Sequence, residues 1–177
     1  TPTPTPTANP TPVTTTGPTP VTDKSSPAGI LELMRRAADW QVANPTNDDP
    51  KGWIYAAFYD GAMALGRMNG EGKYLDAMLK QGTTNRWQLG SGDYNADAHA
   101  VAQMYTEMYE LKSDPDMILK TKQTFNYVVD FPKSNPTDLD YSKYGSSDKW
   151  TWCDSLFMDP PAWARLSTSR MSLAFFA

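Results

Sequence analysis

The run Lys149-Trp150-Thr151-Trp152-Cys153-Asp154-Ser155-Leu156-Phe157-Met158-Asp159-Pro160-Pro161 gathers two of the six tryptophans, the single cysteine and an acid at a loop-to-helix junction. An indole face packs against the C–H face of a sugar ring, and a carboxyl group beside it supplies the proton that glycosidic chemistry needs. Trp150, Trp152 and Asp154 are therefore candidates for sugar contact and acid catalysis. The same residues read equally well as a Trp-rich core corner in which Asp154 caps the next helical turn. Cys153 is expected to be a small buried hydrophobe beside the acid, because the flanking residues of a cysteine nucleophile are absent.

A second stretch, Asn95-Ala96-Asp97-Ala98-His99, opens what reads as an amphipathic helix over Ala96–Lys112. At about 100° per residue, Asp97 projects within about 40° of Val101, Met104, Met108 and Leu111, on the stripe expected to be buried. Desolvation disfavours the charged carboxylate and raises its pKa, which is how a general acid is made at neutral pH. The alternative is structural, since an acid in a first helical turn also suits the helix dipole. His99 lies about 200° round from Asp97, so the two do not share a face of a regular helix. It reads either as a substrate contact or as a hydrogen-bonded structural residue, and no serine or cysteine is tied to it by motif.

The elements that must position these groups are helical. Ser26 is a natural N-cap with Pro27 at the first helical position, and Ile30, Met34, Ala37 and Gln41 follow at helical spacing until Asn44-Pro45. A second helix is predicted over Trp53–Met68, with Ile54, Ala57, Phe58, Gly61, Ala64, Leu65 and Met68 as its stripe and Asn69-Gly70 as its stop. Return helices are predicted over Glu71–Lys80 and Asp116–Val129, and another helix begins near Cys153. No run of alternating β-branched residues reads as a strand, so the class is all-α. Helices near Trp53, Asn95 and Cys153 each follow a polar or glycine-rich loop with aromatics, a pattern of unequal α-hairpins whose inner-helix entrances carry a site.

The chain has 177 residues, with 16 Lys+Arg against 20 Asp+Glu, a formal charge of -4 and a single histidine. Without clustered cations it lacks the surface that binds nucleic acid, and no apolar run reaches the roughly 18 residues of a membrane span. One cysteine and one histidine do not make a zinc site, and no ligand cluster or phosphate-cradling glycine loop points to a metal or organic cofactor. The first 22 residues hold ten Thr and seven Pro and none of the 36 charged residues. Residues 1–24 are thus expected to be a disordered, polyproline-like Thr/Pro linker. Such linkers resemble those that tether modules of secreted carbohydrate-active enzymes. The expectation is a secreted or extracytoplasmic, bacterial-type protein with another such module N-terminal to the linker.

Two strings carry a family resemblance. WTWCDSLFMDPPAWARL at 150–166 resembles the signature of the unsaturated rhamnogalacturonyl hydrolases, glycoside hydrolase family 105, to which the family 88 unsaturated glucuronyl hydrolases are related. GDYNADAHAVAQMYTEMYEL at 92–111 looks like the second motif of that family, and the Trp53–Leu65 helix is similar to its earlier inner helix. The resemblance runs from about Ile30 to Leu166. It implies an (α/α)6 barrel with its pocket at the inner-helix entrances. It also implies Asp154 as general acid/base, Trp152 as sugar-stacking wall, Asp97 as second carboxylate, and His99 and Trp150 at the pocket side. The implied reaction protonates the C4=C5 double bond of an unsaturated uronic acid while water adds at C5, on pectin-derived rhamnogalacturonan fragments. That role requires a raised pKa at Asp154.

Two departures qualify the match. The family motif pairs two aspartates where this chain has Asp97-Ala98, which leaves open whether the second carboxylate is Asp97 or has been lost at position 98. Residues 25–166 hold about three of six hairpins, so the resemblance implies a partial barrel, an apparently truncated N-terminal half, and 167–177 form a divergent tail. The alternatives to an enzyme are a non-catalytic helical sugar-binding or interaction module and an inactive fragment.

Overall fold

A computed structural model describes residues 20–21, 23–132 and 152–168. The linker expected over 1–24 and the divergent tail over 167–177 lie almost wholly outside them, as does Trp150. Among the described residues, α-helices are the regular structure: α1 Pro27–Ala43, α2 Trp53–Asn69, α3 Gly72–Thr84, α4 Ala96–His99, α5 Ala102–Lys112, α6 Asp116–Asp130, α7 Ser155–Met158 and α8 Pro160–Thr168. The all-helical hairpin class read from the sequence is the class observed, as a partial α/α toroid would give. None of these helices is long and apolar enough to cross a membrane.

Local chemistry explains most helix ends. Ser26 Oγ accepts the Gly29 N–H at 3.1 Å with Pro27 at the first helical position, which satisfies a donor that the helix leaves unpaired. Gly70 closes α2 in the left-handed region at φ 63°, its N–H donating to Gly66 O, a conformation in which a Cβ is strained.

The helices form two rows. α2, α5 and α8 are neighbours in one row, while α1 and α3 pack against α2 and α6 packs against α5. Met63, Val101, Met104 and Met108 are fully buried between them, and each such side chain contributes about 1.5–3 kcal/mol by leaving water. Tyr59 and Tyr105 are buried too, and their hydroxyls donate to Pro50 O at 3.0 Å and Gln88 O at 2.9 Å. A buried tyrosine keeps its polar end satisfied in this way.

Two stripes face differently from the sequence expectation. On α2 the core takes Tyr55, Ala56, Tyr59, Ala62, Met63 and Leu65, whereas Ile54 and Met68 of the predicted stripe stay 50% and 61% exposed. α2 is apolar on nearly all sides, so periodicity could not choose its buried face. On α1 the buried positions are Gly29 and Ala38, and Ile30 is exposed.

The helix predicted over Ala96–Lys112 is interrupted at Ala100–Val101. The Gly90 N–H takes the Ala98 carbonyl at 2.9 Å, an acceptor that would otherwise serve Ala102 within the helix, and Gln103 N–H turns to Ala100 O at 3.2 Å. Only glycine allows that approach, because a Cβ at position 90 would stand 2.9 Å from Ala98 Cα.

Glu107 of α5 joins the inner row. Its carboxylate accepts Arg67 Nη1 of α2 at 3.1 Å and Arg165 Nη2 of α8 at 2.7 Å. Asp60 of α2 lies nearby with both oxygens buried and no hydrogen-bond partner among the described residues. Burial, with a smaller push from Glu107 and against the pull of Arg165, raises its pKa to about 7.

Candidate active site

A cavity of about 280 Å³ is lined by Trp53, Asn95, Ala96, Asp97, Trp152, Asp154 and Ser155. It is close in size to the smallest ligand pockets, at about 300 Å³. Its wall is made where α2, α4 and α7 begin: Trp53 is the first residue of α2, Asn95 is the N-cap of α4 and Asp154 is the N-cap of α7. A residue at a helix start points out of the end of the helix rather than along its packed flank, so three starts at one place converge their side chains there.

Asp97 is held by its neighbour. Asn95 Oδ1 accepts the Asp97 N–H at 3.0 Å, fixing the first turn of α4. The carboxyl group is partly buried in the cavity wall. That burial, and secondly the charge of Asp154, push its pKa above the ordinary carboxylate range. The desolvation expected from the helical stripe is present, but its source is the cavity wall.

Asp154 occupies the N-cap of α7, yet its side chain makes no capping hydrogen bond. The structural alternative, a carboxylate spent on closing the next turn, is therefore not what is observed. Its backbone carbonyl accepts Phe157 N–H at 2.8 Å and Met158 N–H at 3.2 Å, which leaves the carboxylate beside Asp97 in the cavity wall. Trp152, at 64% exposure, and Trp53, at 48%, present large open aromatic surfaces next to the two acids. Such surfaces suit stacking on a sugar ring.

Two sequence readings change here. His99 does not reach the cavity: it is fully buried, and its Nδ1 lies 2.9 Å from Asp159 Oδ1, itself fully buried. The angular offset from Asp97 turns one side chain to the cavity and the other to the core, so the pocket-side reading of His99 gives way to a structural hydrogen bond. Cys153 is exposed rather than a buried neighbour of the acid, because the short α7 turns its buried side toward Ser155 and Met158. Trp53 and Asn95, read from the sequence as starts of helices whose entrances carry a site but not as site residues themselves, line the cavity together with Ser155. Trp53 carried a usable signal as a bulky aromatic immediately after Gly52 at a helix start. Asp60 carried another as the one acid in the apolar helix WIYAAFYDGAMALGRMN.

No group of three or more His, Cys, Asp or Glu among the described residues could hold a metal ion. The cavity sets two carboxyl groups, one of them with its pKa raised, next to aromatic surfaces, an arrangement suited to proton transfer to a bound ring.

Comparison with known proteins bears on that chemistry. The sequence model of Glycosyl Hydrolase Family 88 matches residues 29–173. The chain is 28% identical over 173 residues to an unsaturated 3S-rhamnoglycuronyl hydrolase of Alteromonas sp. (strain LOR), covering 82% of this chain and 42% of that protein. It is also 28% identical over 135 residues to an unsaturated 3S-rhamnoglycuronyl hydrolase of Formosa agariphila, covering 75% of this chain and 36% of that protein. The chain thus spans well under half the length of these two relatives.

Proposed function

Because this chain belongs to Glycosyl Hydrolase Family 88, we propose that its cavity takes the unsaturated uronyl end of an oligosaccharide and hydrates the C4=C5 double bond. The observation that carries the reading is that Asp97 and Asp154 line one cavity together with Trp53 and Trp152. Asp154 gives its proton to C4 while water adds to C5, and the proton released by that water returns to the Asp154 carboxylate. The C5 hemiketal opens to a ketone, C1 collapses to an aldehyde, and the neighbouring sugar leaves with a free hydroxyl. One water is consumed and the carboxyl group ends as it began. Trp152 and Trp53 hold the ring by its apolar faces, and Asp97, whose pKa is raised by burial and secondly by Asp154, is the second carboxyl group beside the reacting bond.

In its finer form the substrate is an unsaturated galacturonyl-rhamnose fragment of the kind that a pectin lyase leaves, which is the family 105 type of specificity. The Thr/Pro-rich segment over 1–24 serves as a tether to another carbohydrate-active module outside the cytoplasm. The names of the two relatives, unsaturated 3S-rhamnoglycuronyl hydrolases, support an unsaturated glycuronyl group in the substrate.

The test follows the ultraviolet absorbance of the conjugated double bond in an unsaturated galacturonyl-rhamnose disaccharide. Wild type is expected to bleach it, and Asp154→Asn to lose about 10²–10⁴-fold or more of the rate, the range ascribed to a positioned general acid. Activity is expected to decline as the pH rises above mildly acidic values. A rate that is flat through pH 8, or an Asp154→Asn variant as fast as wild type, refutes the mechanism. Binding without bleaching makes the chain a sugar-binding module.

A further inference from the structure

We propose that His99 and Asp159 act as a positioning pair, holding the turn that carries Asp97 against the turn that carries Asp154. The inference rests on the reading of those two carboxyl groups as the reacting pair. His99 stands two residues beyond Asp97 at the end of α4, and Asp159 stands five residues beyond Asp154 at the junction of α7 and α8. Their 2.9 Å contact spans 60 residues of sequence and is fully shielded from water. The imidazole Nδ1–H donates to the carboxylate Oδ1.

The surroundings leave this pair little room to move. Gln103, one turn beyond His99, donates its Nε2–H to Phe157 O at 2.6 Å and Met158 O at 3.4 Å, so α4 and α5 grip the α7–α8 junction at two successive turns. The His99 ring packs on Phe125, with centroids 5.1 Å apart, and Phe125 stacks on Trp163 of α8 at 4.2 Å and 7°. Asp159 is itself fixed by its backbone, since its N–H closes α7 on Ser155 O at 3.1 Å and its carbonyl accepts Ala162 N–H at 3.0 Å and Trp163 N–H at 3.2 Å to begin α8. Pro160 and Pro161 then set the first turn of α8 without donors of their own. Asp159 Oδ2 is buried with no hydrogen-bond partner among the described residues, so the bond from His99 to Oδ1 is the side-chain contact that holds this acid in place. The hydrogen bond sets how far α4 stands from α7, and a displacement of about 1 Å between reacting groups can cost about 10²-fold in rate.

The test uses the full chain with His99→Phe, which keeps a ring against Phe125 but removes the donor, Asp159→Leu, which removes the acceptor, and Asp159→Asn, which keeps Oδ1 as an acceptor. Two readouts are taken. The Asp97 carboxyl titration, followed by carbon NMR, needs no substrate, and kcat and KM are read from bleaching of the unsaturated disaccharide. In a disrupting variant that still melts cooperatively, the Asp97 midpoint is expected to fall, because its carboxyl group is less buried as the two turns part and, secondly, Asp154 stands farther away and repels less. kcat is expected to drop about 10-fold or more with KM within about twofold. Asp159→Asn is expected to retain both wild-type values.

An unmoved Asp97 midpoint in a folded disrupting variant overturns the proposal, and so does an Asp159→Asn variant as impaired as Asp159→Leu. If neither disrupting variant folds, the pair is a stability element and the positioning role is likewise overturned. A wild-type chain that does not bleach the disaccharide refutes the proposed reaction, while the titration still decides whether the pair sets the carboxylate spacing.

Discussion

Replacing Asp60 by asparagine should change how stability responds to pH. In the folded chain Asp60 has both carboxyl oxygens buried, and its pKa is raised from an ordinary 3.8 to about 7, chiefly by burial. Between those two values the native state keeps a proton that the unfolded chain has released. The unfolded state then binds fewer protons, and stability falls as the pH rises through the window. Every tenfold weakening of the acid on folding corresponds to about 1.36 kcal/mol, so the ceiling is about 4 kcal/mol, and roughly 3 kcal/mol of it is lost between about pH 4.5 and pH 7.5. Arg165 does not cancel the penalty, because its pull is the smallest of the three influences on Asp60.

Asparagine occupies the same space without a charge. Any cost of its unpaired amide is independent of pH and drops out when two pH values are compared. Urea unfolding of wild type and Asp60→Asn at pH 4.5 and 7.5 should show the variant gaining on wild type by roughly 3 kcal/mol between the two conditions. Parallel pH profiles, or a wild type that gains on the variant as the pH rises, would falsify the assignment of Asp60 as a buried, neutral acid.

Two further substitutions probe local structure. Gly90→Ala places a Cβ 2.9 Å from Ala98 Cα and should destabilise the chain by about 1–3 kcal/mol, as overpacking does, while lowering bleaching activity because the α4–α5 break shifts under Asp97. A denaturation midpoint equal to wild type counts against that account. Ser26→Ala removes the side-chain cap on Gly29 N–H and should cost about 1 kcal/mol in thermal or urea unfolding, with no change in the Asp97 titration.

Much of the helical plan can be read directly because it is written locally. Ser26-Pro27 starts α1, Asn69-Gly70 ends α2, and Asn95 caps α4, each through contacts within a few residues. What escaped sequence reading was set by contacts across the chain. The break after His99 depends on Gly90 reaching Ala98 from another segment, and no propensity of ADAHAVAQ encodes it. The burial of His99 depends on Asp159, 60 residues away. α2 illustrates a different failure, since an apolar helix gives periodicity no polar side to subtract, and Ile54 looked as buryable as Tyr55. At the site itself, Asp97 and Asp154 were visible as acids in aromatic or apolar settings. Their common cavity, the push of the Asp154 charge on Asp97, and the Trp53 wall required the three helix starts to meet.

The Glu107 carboxylate binds guanidinium groups from α2 and α8 at once, and this restricts how the inner row can diverge. A neutral residue at 107 leaves Arg165 without its carboxylate partner and Arg67 with Glu110 at 3.3 Å as its remaining anion, and a neutral residue at 67 or 165 leaves the other arginine as the Glu107 carboxylate's remaining link between helices. The three positions share one ion-pair network, so the effects of substitutions at them are expected to couple rather than add. A lineage that recasts the row with apolar residues therefore touches Asp60 as well, because a change at Glu107 lowers its pKa and a change at Arg165 raises it.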